Sequence, residues 1–139
     1  MGLIPKKSYY SFNRNLRNEL KTSKKIYFYD NGIRNALIAN FNQIEGRADR
    51  GALWENFLIS ERKKFLEYNR LWGNSWFWRT KEQKEIDLVE ERDGKITGYE
   101  FKWNPDQKVE IPRLFLDSYE NSDFQVIHRD NCDSFLLEY

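Results

Sequence analysis

The fold is decided by residues 85–103, which read EIDLVEERDGKITGYEFKW. Asp93-Gly94 is a strong hairpin signal, because a type I′ turn needs two residues that tolerate positive φ. A two-residue loop here predicts an antiparallel strand pair in which Asp87 lies directly opposite Glu100. A three-residue loop with a bulge is the alternative, and it would shift the register by one residue. The stretch therefore predicts a hairpin that brings two carboxylates together.

The two opposed carboxylates suggest a cation site. Directly opposed residues project from the same face, with Cβ atoms roughly 4.5–5.5 Å apart, and the two-residue period of a strand adds Lys102 to the face of Glu100. Like charges at that distance are destabilising unless something neutralises them. Mg²⁺ does so with one or two carboxylates while it keeps several waters. The alternative is a solvated charge ladder in which Lys102 neutralises both Glu85 and Glu100.

A third carboxylate, Glu55, falls within a helix predicted over residues 51–68. Its neighbours three and four positions away are Ala52, Leu58 and Ile59, which puts Glu55 on or beside the buried stripe. A carboxylate there needs a partner. The alternative is a helix-edge Glu bonded to neighbouring backbone or to an Arg. The solvent face of this helix is expected to hold Glu61, Arg62, Lys63 and Lys64.

The rest of the chain follows an α/β pattern. Helices are predicted at 12–20, 33–39, 51–68 and 111–120, and strands at 25–29, 76–79, 85–91, 95–103, 123–128 and 135–138. Three consecutive strands favour antiparallel pairing. The helix that follows them allows the next strand to join the sheet in parallel.

Composition excludes several classes of protein. The 139 residues bound the chain to about one domain. One cysteine, Cys132, and one histidine, His128, exclude an internal disulfide and a Cys/His zinc site, and disfavour a Ser-His-Asp hydrolase. No apolar run approaches the roughly 18–20 residues of a membrane helix, so a cytoplasmic protein is expected. Aromatic residues are 17% of the chain, and core packing or a partner interface explains them better than base stacking.

The charge is unevenly distributed although the net charge is only +1. Residues 1–25 are strongly basic and residues 104–139 are acidic. The basic segment either contacts phosphates or serves as a solubilising linker. Arg79, Lys81 and Lys84 lie beside the first strand of the core, where they either steer a phosphate backbone or are ordinary loop charges.

The candidate site residues resemble the signature of a known superfamily. A helix Glu, a strand Asp and a Glu-x-Lys on the next strand resemble the PD-(D/E)XK, restriction-endonuclease-like superfamily. Four motifs look more narrowly like the uncharacterised C-terminal domain that follows the ATPase module in bacterial and archaeal AAA+-type ATPases. They are GALWENF at 51–57, FWRT at 77–80, EIDLV at 85–89 and YEFK at 99–102. The resemblance runs from about Lys24 to the end of the chain.

The resemblance implies a fold and a site. The fold would be an α/β restriction-endonuclease-like αβββαβ core, a mixed sheet flanked by helices, over 46–139, with 1–45 as an adaptor or linker. Glu55, Asp87, Glu100 and Lys102 would be catalytic, with Lys102 positioning or activating the attacking water. Asp87, Glu100 and the Phe101 carbonyl would bind Mg²⁺ or Mn²⁺.

The resemblance also implies a function with two alternatives. The first is a metal-dependent nuclease acting on DNA, with RNA as a further candidate substrate. The second is a catalytically inactive module that binds nucleic acid or another protein. The sequence departs from the superfamily name at Ile86, which stands where the name has Pro, and it contains no G-x-x-x-x-G-K-[ST] nucleotide motif. An ATPase module is therefore expected elsewhere in a longer chain, and a homo-oligomer is a further expectation.

Overall fold

A computed structural model describes residues 6–10, 24–80 and 84–138, with the side chains described from Lys25 onward. The strands are β1 Lys6–Tyr10, β2 Lys24–Phe28, β3 Asn74–Arg79, β4 Glu85–Arg92, β5 Lys95–Phe101 and β6 Ser122–Ile127. The helices are α1 Asn31–Leu37, α2 Arg50–Tyr68, α3 Arg113–Ser118 and α4 Cys132–Leu137, and a 3-10 turn spans Ile44–Gly46.

Two sheets are formed by the described strands. β1 and β2 make an antiparallel pair, and the larger sheet has the order β3-β4-β5-β6. β3, β4 and β5 are antiparallel, whereas β6 returns through α3 and pairs with β5 in parallel. The expected α/β architecture with a mixed sheet flanked by helices is confirmed.

The larger sheet is buried on both faces. On the side of α2 and α4, the core contains Tyr27, Trp54, Leu58, Ile59, Phe77, Leu88, Tyr99, Phe101, Ile127 and Phe135. On the side of α3, it contains Trp78, Ile86, Val89, Ile96 and Phe115. The aromatic excess therefore serves packing in both layers, as the sequence predicted for its larger part.

The hairpin between β4 and β5 has the predicted register. Asp93 and Gly94 have φ of 50° and 77°, as a type I′ turn requires. Val89 pairs with Gly98, which is the pairing that a two-residue loop dictates. The described pairing ends with Leu88 and Tyr99, one position before Asp87.

A β-bulge in β4 alters where Asp87 points. Trp76 pairs with Val89 and Trp78 with Ile86, so Phe77 alone faces two residues of β4. The bulge keeps Ile86 and Val89 in the same core layer although they are three residues apart. It leaves Asp87 on the α2 side of the sheet, where a regular strand would have turned it toward α3.

Two expectations about helices α2 and α4 are wrong. Most of the predicted strand at 135–138 is part of helix α4, whose short apolar run buries Phe135 against the sheet. A short apolar run of this length fits a helix as well as a strand. Arg62 does not face solvent. It is buried, pairs with Glu90 and donates to the backbone carbonyls of Phe135 and Glu138.

Two further expectations concern the N-terminal part. The helix predicted at 12–20 lies outside the described residues. The domain boundary at 45/46 stays a prediction, and Tyr27, from before that boundary, is part of the core on the α2 side. No helix in the described part of the chain is long and apolar enough to cross a membrane.

Gly98 is expected to be a packing requirement of the sheet. A Cβ built on it would lie 3.1 Å from Phe115 Cε1 and 3.3 Å from Ile86 Cγ2. Gly98→Ala should therefore lower the free energy of unfolding by about 1–3 kcal/mol, measured by urea denaturation. Gly51→Ala is the matched control, because a Cβ there meets nothing within 4 Å and helix α2 gains up to about 1 kcal/mol of propensity. Equal effects of the two substitutions would contradict the packing argument.

Candidate functional site

Strand β2 is clamped to helix α2 by the buried side-chain amide of Asn56. The amide oxygen accepts from Phe28 N at 2.7 Å, and the amide nitrogen donates to Phe28 O at 2.9 Å. The same nitrogen donates to Asn31 Oδ1 at 3.0 Å. Because one side chain satisfies both backbone groups of Phe28, it fixes the position of β2 along α2.

Lys25 and Tyr27 meet the helix residue next to Asn56. Alternate residues of a strand share a face, and here that face turns toward Glu55, while Ile26 between them is 52% exposed. Tyr27 Oη donates to Glu55 Oε1 at 2.5 Å, and Lys25 Nζ donates to the same oxygen at 3.1 Å. Burial and the neighbouring Glu55 raise the pKa of the Tyr27 phenol, so it remains a hydrogen-bond donor.

Lys25 is shared by three carboxylates. Besides Glu55, its ammonium contacts Glu85 Oε1 and lies 3.6 Å from Asp87 Oδ1. Burial lowers the pKa of Lys25, but the three carboxylates outweigh burial and raise that pKa above its usual value. Lys25 therefore stays charged. We refer to Lys25, Glu55, Glu85 and Asp87 as the carboxylate cluster.

Asp87 is the most perturbed acid of this cluster. Its Oδ2 accepts from Phe101 N at 2.8 Å. Burial first, then Glu55 and Glu100, raise the pKa of Asp87 to about 7, against the opposing effects of Phe101 N–H and Lys25. Near neutral pH the negative charges around Asp87 are therefore not fully compensated by the described cations.

Glu100 and Lys102 form a pair of their own. Lys102 Nζ donates to Glu100 Oε1 at 2.7 Å. Burial lowers the pKa of Lys102, and the bond to Glu100, with Asp87 and Glu55 nearby, outweighs burial and raises it. Of the two pairs in the charge-ladder alternative, Lys102 with Glu100 is therefore present. Glu85 does not pair with Lys102, because its partners are Arg79 and Lys25.

An open cleft of about 780 Å³ lies beside Glu100 and Lys102 on the α3 side of the sheet. Its basic lining residues are Lys84, Lys102, Lys108 and Arg113, its acidic ones are Glu85, Glu100 and Glu110, and its apolar ones include Trp78, Ile86, Val109, Ile111, Leu114 and Phe124. The segment from residue 107 to 112 forms one wall. The cleft has one more basic than acidic lining residue, and Lys108 and Arg113 are the two cations that could receive an anionic ligand without leaving Glu100 or Glu110.

The structure brings the predicted catalytic residues into two adjoining groups. Glu55 and Asp87 meet at Lys25, whereas Glu100 and Lys102 pair at the cleft, within electrostatic range of Asp87. Phe101 contributes its N–H to Asp87. The Phe101 carbonyl as a metal ligand stays a prediction.

The three predicted phosphate-contacting residues have different surroundings. Arg79 donates to Glu85 Oε2, with Nη2 at 2.5 Å, so its charge is already paired. Lys84 lines the cleft and lies 3.8 Å from Glu110. Lys81 lies outside the described residues.

Sequence reasoning did not assign three residues to the site: Lys25 and Glu85 of the carboxylate cluster, and Tyr27, which donates to Glu55. The available signal was the alternation in Lys25-Ile-Tyr-Phe-Tyr29, which puts a cation and a phenol on one strand face. No local pattern shows which helix that face meets, since the contact joins residues about thirty positions apart.

The chemistry of the oxygen donors suits a hard cation held by two carboxylates, whereas the described residues offer no set of three. Across the described ranges, no three His, Cys, Asp or Glu side chains are arranged to hold a metal ion as they stand. One reason is visible, because the Lys25 ammonium lies among Glu55, Glu85 and Asp87. Mg²⁺ takes as few as one or two carboxylates and completes its shell with water, and Asp87 and Glu100 supply that number.

Comparison with known proteins identifies a family but no activity. The family model described as "Domain of unknown function (DUF4143)" matches residues 50–132, and the domain is found in ATPase-associated proteins. Two uncharacterised proteins, from Mycobacterium bovis and Mycobacterium tuberculosis, are each 31% identical over 90 residues. That stretch is 63% of this chain and 20% of each relative, so the chain matches about a fifth of their length. No solved structure matches.

The raised pKa of Asp87 predicts a pH-dependent stability. Because its folded pKa of about 7 exceeds the ordinary aspartate value of 3.8, Asp87 contributes stability below about pH 4 that is lost as the pH rises through 7. Asp87→Asn keeps an acceptor for Phe101 N–H but removes the charge. It should stabilise the fold at pH 8–9 by roughly 2–4 kcal/mol and by almost nothing at pH 4, measured by urea denaturation.

The control for this pH profile is Asp123→Asn, which removes an exposed carboxylate paired with Lys95. It should leave the profile of the wild type unchanged. A gain from Asp87→Asn that is the same at pH 4 and pH 9 would show that the Asp87 carboxyl is not the perturbed group.

Proposed function

The chain belongs to the DUF4143 family, and we propose that it is a metal-dependent nuclease domain of the restriction-endonuclease-like type that acts on DNA. The observation that carries the proposal is the Asp87 carboxylate, which is 16% exposed, lies 3.6 Å from the Lys25 ammonium and accepts a bond from Phe101 N. Burial, then the charges of Glu55 and Glu100, raise the pKa of this carboxyl to about 7. Perturbed acids of this kind concentrate at functional sites, because a fold gains nothing in stability from uncompensated buried charge.

In this proposal Asp87 and Glu100 hold Mg²⁺ or Mn²⁺, together with the Phe101 carbonyl. The bond from Phe101 N to Asp87 Oδ2 supports this assignment, since it fixes the carboxylate against the same peptide segment. A bound divalent cation would stabilise negative charge on a phosphodiester and lower the pKa of water.

Lys102 is proposed as the group that orients the nucleophile. Because Glu100 holds it protonated, its ammonium is suited to donating hydrogen bonds to an attacking water or to a phosphate oxygen. The same charge makes it a poor general base near neutral pH. Of the two roles that the resemblance implies for this Lys, positioning is therefore the one we propose.

Glu55 is proposed to support the metal site from helix α2, where Tyr27 and Lys25 fix its carboxylate. The cleft beside Glu100 is proposed as the path of the DNA backbone. Lys84, Lys108 and Arg113 along this cleft supply cations that suit phosphates without reading bases. RNA has the same backbone charge and remains the competing substrate in the assay below.

A specific observation favours the second function, a module without catalysis. Glu55 and Glu85 already have cationic or phenolic partners, and Lys25 gives Asp87 a partial counter-charge without any metal. A domain with this arrangement can bind nucleic acid or another protein through the cleft while its carboxylates remain structural. Fold alone does not decide between these functions.

The proposed context is a longer protein. The relatives are about five times as long as the stretch they share with this chain. We propose that an ATPase module in the same full-length chain works with this domain, and that the assembled protein is a homo-oligomer.

Metal binding is tested by thermal unfolding in Mn²⁺ and Mg²⁺. Binding to the native state alone stabilises it by about 2.7 kcal/mol at a hundredfold excess over Kd, so the wild-type melting temperature should rise by several degrees. Asp87→Asn should abolish the rise, whereas Glu120→Gln, which removes an exposed carboxylate, should preserve it. A rise that survives Asp87→Asn would place the ion elsewhere.

Cleavage is tested on supercoiled plasmid, single-stranded DNA and RNA with Mn²⁺ or Mg²⁺. Lys102→Ala should lower the rate by about a hundredfold or more, because it removes a donor at the reacting phosphate. Lys95→Ala is the control, since Lys95 begins β5 at the opposite end from Lys102. Retarded mobility of nucleic acid with no cleavage by the wild type would favour the second function over the first.

A further inference from the structure

Lys25 supplies the positive charge of the carboxylate cluster and shares one acid, Asp87, with the proposed metal site. Its ammonium lies 3.1 Å from Glu55 Oε1, contacts Glu85 and lies 3.6 Å from Asp87. The same ammonium lies 5.5 Å from the ring centroid of Phe77, which adds a cation–π contact below it. One monovalent charge is thus surrounded by three carboxylates and an aromatic face.

The backbone that carries Lys25 is fixed independently of its ammonium. Asn56 bonds both backbone groups of Phe28, and Tyr27 is buried at 7% exposure with its hydroxyl on Glu55. The Lys25 side chain is 20% exposed, so it has a route to solvent. Lysine has a flexible four-carbon stem and a strongly hydrated head. The side chain can therefore leave the cluster while β2 stays in place.

We propose that Lys25 is an intramolecular competitor of the divalent cation, an autoinhibitory contact that must swing out before the metal site is complete. The inference rests on the proposed metal site and adds a residue that controls it. Asp87 is the common member, because it faces Lys25 through Oδ1 and would be a metal ligand in the open state. Loading of the site is then an exchange of one counter-charge for another.

The competition predicts a measurable change in the affinity for Mn²⁺. When only a fraction of molecules is competent to bind, the apparent Kd is raised by the inverse of that fraction. If Lys25 is seated in nine molecules of ten, removing its charge tightens Mn²⁺ binding about tenfold. The same removal has the opposite effect without metal, because the three carboxylates then lose their shared cation.

The experiment compares the wild type with Lys25→Met and Lys25→Gln by Mn²⁺ titration calorimetry and by melting temperature in chelator and in Mn²⁺. Both variants should melt below the wild type in chelator, gain more from Mn²⁺, and bind it at least tenfold more tightly. Lys25→Gln keeps a hydrogen-bond donor, so it provides a second folded variant where Lys25→Met is too unstable. Lys25→Arg retains the charge and should bind Mn²⁺ like the wild type.

Lys95→Met is the matched control, because it removes a lysine that lies 3.7 Å from one exposed carboxylate, Asp123. Its Mn²⁺ affinity should equal that of the wild type. Tighter binding by the Lys25 variants, or binding by them alone, supports the competition. Equal binding by wild type and Lys25 variants overturns it and leaves the metal site standing. Absence of binding in every protein overturns the metal site itself, and the competition with it.

Discussion

The turn at Asp93-Gly94 is the constraint on which the rest of the sheet depends. It fixes the pairing of β4 with β5, and that pairing puts Gly98 opposite Val89 in the layer under α3. Because Gly98 has no side chain, Phe115 of α3 approaches the sheet closely there. The bulge opposite Phe77 then keeps Ile86 and Val89 in the layer under α3 and turns Asp87 toward α2. A strand with a strict two-residue period would have placed Asp87 in the layer of Val89, away from α2.

The buried Arg62–Glu90 pair and the half-buried Lys25 cluster differ in how fully their charges are satisfied. Arg62 donates to both carboxylate oxygens of Glu90 and to the carbonyls of Phe135 and Glu138, so its guanidinium is well satisfied and ties α4 to α2. Lys25 instead has three carboxylates for one charge. A fully bonded pair fixes a core. A cluster with excess like charge lowers the stability of the fold, and it is therefore the better candidate for a functional site.

The sequence predicted the parts of this site that depend on local rules. The dipeptide Asp93-Gly94 determined its own turn and the register near it, and the apolar neighbours of Glu55 indicated its place beside the buried stripe of α2, where its side chain is 23% exposed. The bulge was beyond such rules, because it lies in the pairing of β4 with β3, where Phe77 faces two residues of β4. Arg62 was misplaced for a related reason, since a helix position beside charged residues gives no sign that a buried Glu lies opposite.

The placement of Lys25 shows why a site can extend beyond the part of a chain that a family model matches. The family match begins at residue 50, within one residue of α2, and includes Glu55, Asp87, Glu100 and Lys102. Lys25 and Tyr27 lie outside it, yet they make the closest contacts to Glu55. The acids of the cluster therefore come from one part of the chain and their counter-charge from another. Such a division lets the preceding segment tune the charge of the site without any change in the sheet that carries the acids.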